Sequence, residues 1–433
     1  MNRIYSKFWS APLGCFVAAS ESAMHARGSS SAAGTVCIGS IIPIAVSALL
    51  VSSAASAQSY EAGGGAAPGD DSVAIAADAY ACSMYTTAIG VGAIACNPDN
   101  PGGPGTANGT EATAIGYHAQ ATAHASTAIG SQASASNHYA TAIGASAQAL
   151  GPGGLALGYQ TLANSYATAL GNQSSASGGD SVAVGTGSLS AGQAAVAVGA
   201  NSRAQGQYAS AFGRRASASA DNAIALGNQA SASGVDSISQ GRMAEARANQ
   251  AIAIGARSVA SAANAVAIGP ETQVSGEDAV SVGARNVVAG TRSGAFGESN
   301  DISGSDSYAF GNENSIGQDN TFVIGNGVTT SQANSVVLGN LSTDRAATSE
   351  SSVSINGITY DFAGSVPSGV VSVGAAGAER QIINVGAGQV SDTSTDAING
   401  SQLHATNRAV EGVAHIASAG WNVSAQGANE TNV

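Results

Sequence analysis

From Gly116 to Gly339 a glycine returns at a nearly constant interval, and this register limits the folds open to the chain more than any other feature. The anchors are Gly116, Gly130, Gly144, Gly158, Gly171, Gly185, Gly199, Gly213, Gly227, Gly241, Gly255, Gly269, Gly283, Gly297, Gly311, Gly325 and Gly339. Fifteen of the sixteen intervals are fourteen residues long, and Gly158 to Gly171 is thirteen. Two earlier copies fit at Gly90 and, with alanine in the glycine slot, at Ala76. The 26-residue gap between Gly90 and Gly116 holds Asn97-Pro98-Asp99-Asn100-Pro101-Gly102-Gly103-Pro104-Gly105, which reads as a loop. A fixed period of this kind means one small unit stacked many times.

Each unit has an internal pattern. The residue before the anchor is apolar in sixteen of seventeen copies, Gln240 being the exception. The residue before that is Ala in thirteen, the others being Ser239, Ser281, Val323 and Val337. Alternation of large and very small side chains at period two describes a strand with two differently packed faces. A weaker strand follows each anchor, as in Gln229-Ala230-Ser231-Ala232-Ser233. Two short strands and two tight turns fill a coil, with glycine supplying turn geometry. Nineteen coils stacked at the sheet spacing make a rod roughly 90 Å long. So thin a coil buries one apolar side well, and its other apolar side needs a cover, which oligomerisation along the rod supplies. The expected fold is therefore all-β, a parallel β-roll or solenoid of fourteen-residue coils. Toward the C-terminus Ala135, Ala149, Ala218 and Ala232 give way at the equivalent slot to Val274, Val288, Ile302 and Ile316, while Phe212, Phe296, Phe310 and Phe322 enter the anchor strand. This implies thicker packing in the last coils, on a face the pattern leaves open.

Composition agrees. Of 433 residues only 9% are charged and 5% aromatic, 57 are glycine and 44% are hydrophobic. An ordinary domain has about 25% charged residues, so a conventional core of large side chains is excluded. The apolar content argues equally against disorder. A net charge of −13 with a single lysine, Lys7, excludes a nucleic-acid-binding surface.

The N-terminus reads as an export signal. Val36 to Val51 is mostly apolar, interrupted by Ser47, and leads to Ala55-Ser56-Ala57, an A-x-A site with cleavage expected after Ala57. A transmembrane helix would need about 20 apolar residues. Cys82 and Cys96 remain after cleavage, fourteen residues and thus one coil apart. Equivalent positions on stacked coils lie about 5 Å apart, within disulfide range, and export exposes both to oxidising conditions. An intrachain bond is expected.

These residues carry a family resemblance. The S-V-A-[IV]-G repeat, as in Ser181-Val182-Ala183-Val184-Gly185, resembles the head of YadA-like trimeric autotransporter adhesins, whose heads are left-handed parallel β-rolls associated as homotrimers. Met1-Asn2-Arg3-Ile4-Tyr5, Phe8-Trp9 and Val17-Ala18-Ala19-Ser20-Glu21 resemble the extended signal peptide of large autotransported proteins. Arg380-Gln381-Ile382-Ile383-Asn384-Val385-Gly386-Ala387-Gly388 followed by Thr395-Asp396-Ala397-Ile398-Asn399-Gly400-Ser401-Gln402-Leu403 is similar to the neck that joins such heads to stalks. Between head and neck, Ser352 to Tyr360 reads as a hairpin around Asn356-Gly357, continued by Asp361-Phe362-Ala363-Gly364. After Leu403 the period changes: Leu403, Thr406, Val410, Val413 and Ala417 fall at a/d spacing of a short coiled coil. Gly420-Trp421-Asn422-Val423 resembles the opening of a further stalk module. The expected organisation is signal peptide 1–57, head 58–340, insert 341–379, neck 380–403, stalk start 404–419 and a further module from 420. The resemblance implies a C-terminal β-barrel anchor, which nothing in these residues matches.

Catalytic and metal chemistry are weakly supported. His124 and His138 sit six residues before successive anchors, with His118 nearby, but no carboxylate or cysteine repeats at matching positions, so they read as exposed turn histidines and no metal is expected. Asp70-Asp71 has no cleft to serve, and Asp180, Asp221, Asp236 and Asp278 fall in turns. No phosphate-binding loop, nucleophile elbow or zinc-protease motif occurs. Thr113, Thr127 and Thr141 stack before Leu155 ends the run, too short for an ice-binding ladder. The expectation is a non-enzymatic, cofactor-free surface adhesin that binds extracellular matrix or host-surface molecules multivalently and promotes autoaggregation. The alternative is a structural spacer or biofilm component without a dedicated receptor.

Overall fold

A computed structural model of the chain describes residues 5–10, 15–20, 59–96 and 110–429. Two compact units emerge, Met1–Ser56 and Ala57–Val433. In the first, Tyr5–Ser10 and Cys15–Ser20 pair antiparallel. The apolar signal segment, Ala57 and the expected loop 97–105 lie outside the described residues.

The second unit is a parallel β-solenoid of about 19 turns followed by a helix. The coil from Gly130 to Gly144 shows the plan. A two-residue strand, Ser134–Ala135, is followed by a turn and a three-residue strand, Thr141–Ile143. Each strand pairs in parallel with its counterparts one coil before and after, as Ala142 does with Ala128 and Ala156. The two-residue strands build a 16-stranded ladder from Ile94–Ala95 to Ser315–Ile316. The three-residue strands build a longer open ladder, from Tyr60–Ala62 to Val371–Ser372. Both end strands extend the roll beyond the coils that the glycine register marks.

The core is as narrow as the pattern predicts. The central alanine of each three-residue strand and the alanine closing each two-residue strand point inward and are fully buried, as with Ala128, Ala135, Ala142 and Ala149. The anchors need glycine for two reasons. Gly116 has φ +133°, and a Cβ on it would stand 2.6 Å from the carbonyl oxygen of Gly130 in the next coil. Glycine is only half of the turn chemistry, however. Two further positions per coil also stand in the left-handed region, and most of them are not glycine, such as Gln132 (φ 58°) and Tyr139 (φ 59°).

The last coils are built differently. Val274, Val288, Ile302 and Ile316 replace alanine in the interior and are fully buried. The turns change with them. In earlier coils the turn amide donates to the carbonyl three residues back, as Ala133 does to Gly130 at 3.2 Å. In the last coils the equivalent amides of Asn300 and Asn314 donate to the side-chain oxygens of Asn286 and Asn300, at 2.9 and 3.1 Å. The Asn300 and Asn314 amide groups also reach Gly311 and Gly325 carbonyls at 2.8 and 2.9 Å. A second column does the same at the other turn, where Ser307 and Thr321 amides donate to Ser293 and Ser307 hydroxyl oxygens at 3.1 and 3.0 Å.

Two coils of the roll change length at the second turn, while the first coil is one residue short at its other turn, where Tyr60 pairs with Val73 but Ala66 with Tyr80. In the thirteen-residue coil the residue between Asn164 and Ser165 is missing relative to its neighbours, and the insertion between Cys96 and Thr110 opens at the same slot. Strand register is kept across both: Ala169 pairs with Ala156, and Ala88 with Ala114.

Candidate binding and assembly surfaces

The outward face of the three-residue ladder is a long, largely apolar surface. On either side of the buried alanine, each strand turns two side chains outward, for example Thr127 and Ile129, Val182 and Val184, Ile252 and Ile254. Repetition makes two columns along the roll: the one just before the anchors is apolar except at Gln240, and the other sets Thr87, Thr113, Thr127, Thr141, Thr168 and Ser210 among apolar residues. Near the C-terminal end the columns become aromatic. Phe296 stacks on Phe310 with ring centres 4.8 Å apart, and Tyr308 on Phe322 at 5.4 Å. Gly294 makes room for them: a Cβ there would meet the Tyr308 ring at 2.7 Å. The question left open by the pattern is thus settled by position: Val274 to Ile316 fill the interior, while Phe212, Phe310 and Phe322 are exposed outside. Exposed apolar area on this scale marks an interaction surface.

The edges of the later coils carry polar ladders. Arg292 makes a two-pronged pair with Asp306, both contacts 2.8 Å, and Arg257 pairs with Glu271 one coil on. The hydrogen bond from Arg257 and then its charge hold the Glu271 carboxyl below the usual carboxylate range; Arg292 does the same for Asp306 and is itself raised by that pairing. Asn312, Asn326 and Asn340 stack, with Asn312 and Asn326 amides donating to the next side-chain oxygen at 2.7 and 3.0 Å.

Cys82 and Cys96 are joined in adjacent coils, Cα atoms 5.6 Å apart, with the Cys82 amide 3.2 Å from the Cys96 sulfur. Cys96 is the last residue before the insertion. Just after the insertion, the Thr110 hydroxyl meets His124 Nδ1 at 2.7 Å. His124 and His138 rings lie 6.3 Å apart, and His124 meets Tyr139 edge to face at 5.4 Å. Among the described residues no group of three His, Cys, Asp or Glu gathers as metal ligands.

The residues of the neck motif lock the end of the roll to the helix Gly400–Asn429. The Arg380 guanidinium packs over Gly339 and donates to the Val373 carbonyl at 2.7 Å, the Ser342 hydroxyl at 2.9 Å and the Asn340 carbonyl at 2.9 Å. Asn384 takes a left-handed turn (φ 60°), and Asp396 accepts the Gln389 amide at 2.9 Å. Asn399 caps the helix: its side-chain oxygen accepts the Gln402 amide at 3.2 Å, and Gln402 reaches back to the Asn399 amide at 3.2 Å. That reciprocal pair is a capping box. The same Gln402 side chain clamps both polar groups of the Gly388 backbone, at 3.0 and 2.7 Å. Gly400 opens the helix, and Leu403, Val410 and Val413 on it are exposed. The helix continues unbroken through Gly420, where the sequence suggests a new module; a helical glycine costs only about 1 kcal/mol. No helix among the described residues is long and apolar enough to cross a membrane.

Comparison with known proteins places these features. The YadA head domain repeat matches residues 107–133, 135–161, 164–188, 190–216, 204–230, 232–258 and 260–286. The coiled stalk of trimeric autotransporter adhesin matches 381–432, and the extended signal peptide of type V secretion systems matches 1–51. Autotransporter adhesin BtaE of Brucella suis biovar 1 (strain 1330) is 65% identical over 60 residues, 14% of this chain and 8% of that protein. The C-terminal YadA-like domain of a Burkholderia pseudomallei protein is 36% identical, covering 34% of this chain and 59% of its own, with a TM-score of 0.24. The collagen-binding domain of the Yersinia adhesin YadA is 22% identical, covering 47% and 86%, with a TM-score of 0.23. Signal peptide and family together place the protein at the cell surface, anchored in the outer membrane. Head repeats, stalk and signal peptide occur on one chain in their expected order, and the chain belongs to the trimeric autotransporter adhesins.

Proposed function

We propose that the protein is the passenger region of an adhesin that forms a homotrimeric rod, attaches to extracellular matrix or host-surface molecules, and promotes autoaggregation. The observation that carries this reading is the pair of columns, one apolar and one mixed with threonine, on the three-residue ladder. A single roll leaves them in water, and three rolls packed about a common axis bury them together. Exposed Leu403, Val410 and Val413 on the helix need the same cover. Three identical flanks then repeat every weak contact along many coils, so avidity substitutes for one tight site. In this reading residues 58–340 form the head, 341–379 the insert, 380–403 the neck and 404–419 the start of the stalk. The mature chain begins at Gln58, with Cys82 and Cys96 oxidised.

The test uses the exported protein. Sedimentation should give a trimer, an array of matrix proteins including collagen should give signal, and mass spectrometry should find Gln58 at the N-terminus with no free thiol. A stable monomer rejects the assembly. Cell clumping without array signal favours a structural spacer instead.

A further inference from the structure

One residue at the second turn of each coil stands in the left-handed backbone region, which glycine, asparagine and aspartate adopt at least cost. Later coils mostly follow that preference: Asp236, Asn264, Asp278, Asp306, Asn320 and Asn334 hold the position with φ of 58, 57, 57, 54, 55 and 59°. In the N-terminal half the same position is taken four times by tyrosine, Tyr85, Tyr139, Tyr166 and Tyr208, with φ of 58, 59, 54 and 57°, and otherwise by Asp71, Glu111, Ala125, Gly153, Asp180 and Ala194. These rings fill no core, being 56, 65, 67 and 56% exposed. They lie on the turn edge, away from the columns of the three-residue ladder.

The edge is built rather than loose. His124, held by Thr110 at 2.7 Å, supports Tyr139 edge to face. Tyr166 lies against Gly153, where a Cβ would come within 2.9 Å of its ring. Around Tyr139 and Tyr166 the surroundings are also nearly uncharged: between Glu111 and Arg203 the sequence has one formally charged residue, Asp180, whereas Tyr208 follows Gln207, whose amide donates to Asp221 at 2.8 Å. At Tyr139 and Tyr166 no ion pair is on offer to a sulfate, sialate or phosphate, nor to a basic peptide.

We propose that this edge docks a neutral glycan, a chain of uncharged hexose or N-acetylhexosamine rings. Their apolar C–H faces stack on Tyr139, Tyr166 and Tyr208, and the tyrosine hydroxyls bond their hydroxyl groups. Tyr139 and Tyr166 are two coils apart, roughly 10 Å at the sheet spacing, so a linear glycan along the rod meets successive platforms. The proposal rests on the adhesin reading above and names the ligand class for it.

The experiment probes the full exported protein with neutral hexose and N-acetylhexosamine oligosaccharides, their sulfated and sialylated counterparts, and a proline-rich triple-helical peptide. Neutral glycans should bind with little dependence on salt. The triple variant Tyr139→Asn, Tyr166→Asn, Tyr208→Asn should lose on the order of tenfold in apparent affinity. Its melting temperature should hold or rise, because asparagine suits the backbone there. Absent neutral-glycan signal, signal unchanged in the variant, or tyrosine-dependent binding confined to the peptide each overturns the proposal. If matrix attachment persists while glycan signal is absent, the glycan assignment fails and the adhesin reading stands. If tyrosine-dependent glycan binding occurs without attachment to any surface, the adhesin reading fails instead.

Discussion

Coils near Gly130 and coils near Gly311 share one register but solve the same packing problem in opposite ways. The earlier coils fill a narrow interior with alanine and close their turns by backbone hydrogen bonds, such as Ala140 to Asn137 at 3.1 Å. The later coils take Ile302 and Ile316 inside, and their turn amides turn to Asn286, Asn300 and Asn314 side chains. A wider interior separates the turn's own donor and acceptor, and a buried donor without a partner is expensive. The asparagines restore each lost bond and stack while doing so, as the 2.9 Å contact from the Asn314 amide group to Asn300 shows. Large core residue and asparagine ladder therefore come as a package, placed next to the neck.

That comparison can be broken by exchange. Ile302→Ala should destabilise the last coils by about 2–5 kcal/mol, because the stacked neighbours prevent collapse of the cavity. In a repeat array the loss stays local, so hydrogen exchange should accelerate between Gly283 and Gly325 while the coils before Gly255 hold. Uniform acceleration along the rod would deny that the two regions differ. Asn300→Ala is a smaller blow, about 1–3 kcal/mol, since it strands the Asn314 amide without touching the isoleucines. If protection of that amide survives, the ladder is ornamental and the wide core alone sets the turn. Acid should act least. Glu271 and Asp306 are held below the ordinary carboxylate range in the folded state. Their contribution is thus complete above that range and lost as pH falls through their folded values. Being exposed pairs, they contribute little and are screened by salt. Exchange at the Arg257 and Arg292 edge should quicken modestly in acid or high salt, with the nearly charge-free coils between Glu111 and Arg203 unmoved.

Much of this was legible because the chain writes its period openly. The anchor glycines, the inward alanines and the alternation that leaves Ile115 or Val184 outside all follow from spacing and side-chain size. What escaped is what spacing cannot encode. Asn286, Asn300 and Asn314 occupy a slot held elsewhere by Ala, Ser, Thr or, at Val328, Val, and only the structure reveals that the slot faces inward. Tyr139 and Asp236 are equivalent because both stand at left-handed φ, a backbone fact no composition rule suggests. The first strand, Tyr60–Ala62, precedes any readable glycine anchor, and Val371–Ser372 joins the ladder from beyond the insert. The neck glutamine Gln402 was recognisable as part of a motif, but its reason for being there, one side chain holding a helix cap and Gly388 together, needed coordinates.

The missing residue near Asn164 and the long insertion after Cys96 fall at the same slot of the coil, and neither disturbs strand register. These two length changes fall on one rim of the roll, the rim that also bears Tyr139 and Tyr166, whereas the only shortening at the other turn among the described residues lies in the first coil, between Ala62 and Ala66. A lineage could rewrite what that rim displays by single-residue slips or whole-loop gains while the count of coils, and with it the distance reached from the cell, stays fixed. It could equally duplicate coils and extend that reach with the display untouched. Reach and recognition are carried on separate axes of one repeat, free to diverge at different rates.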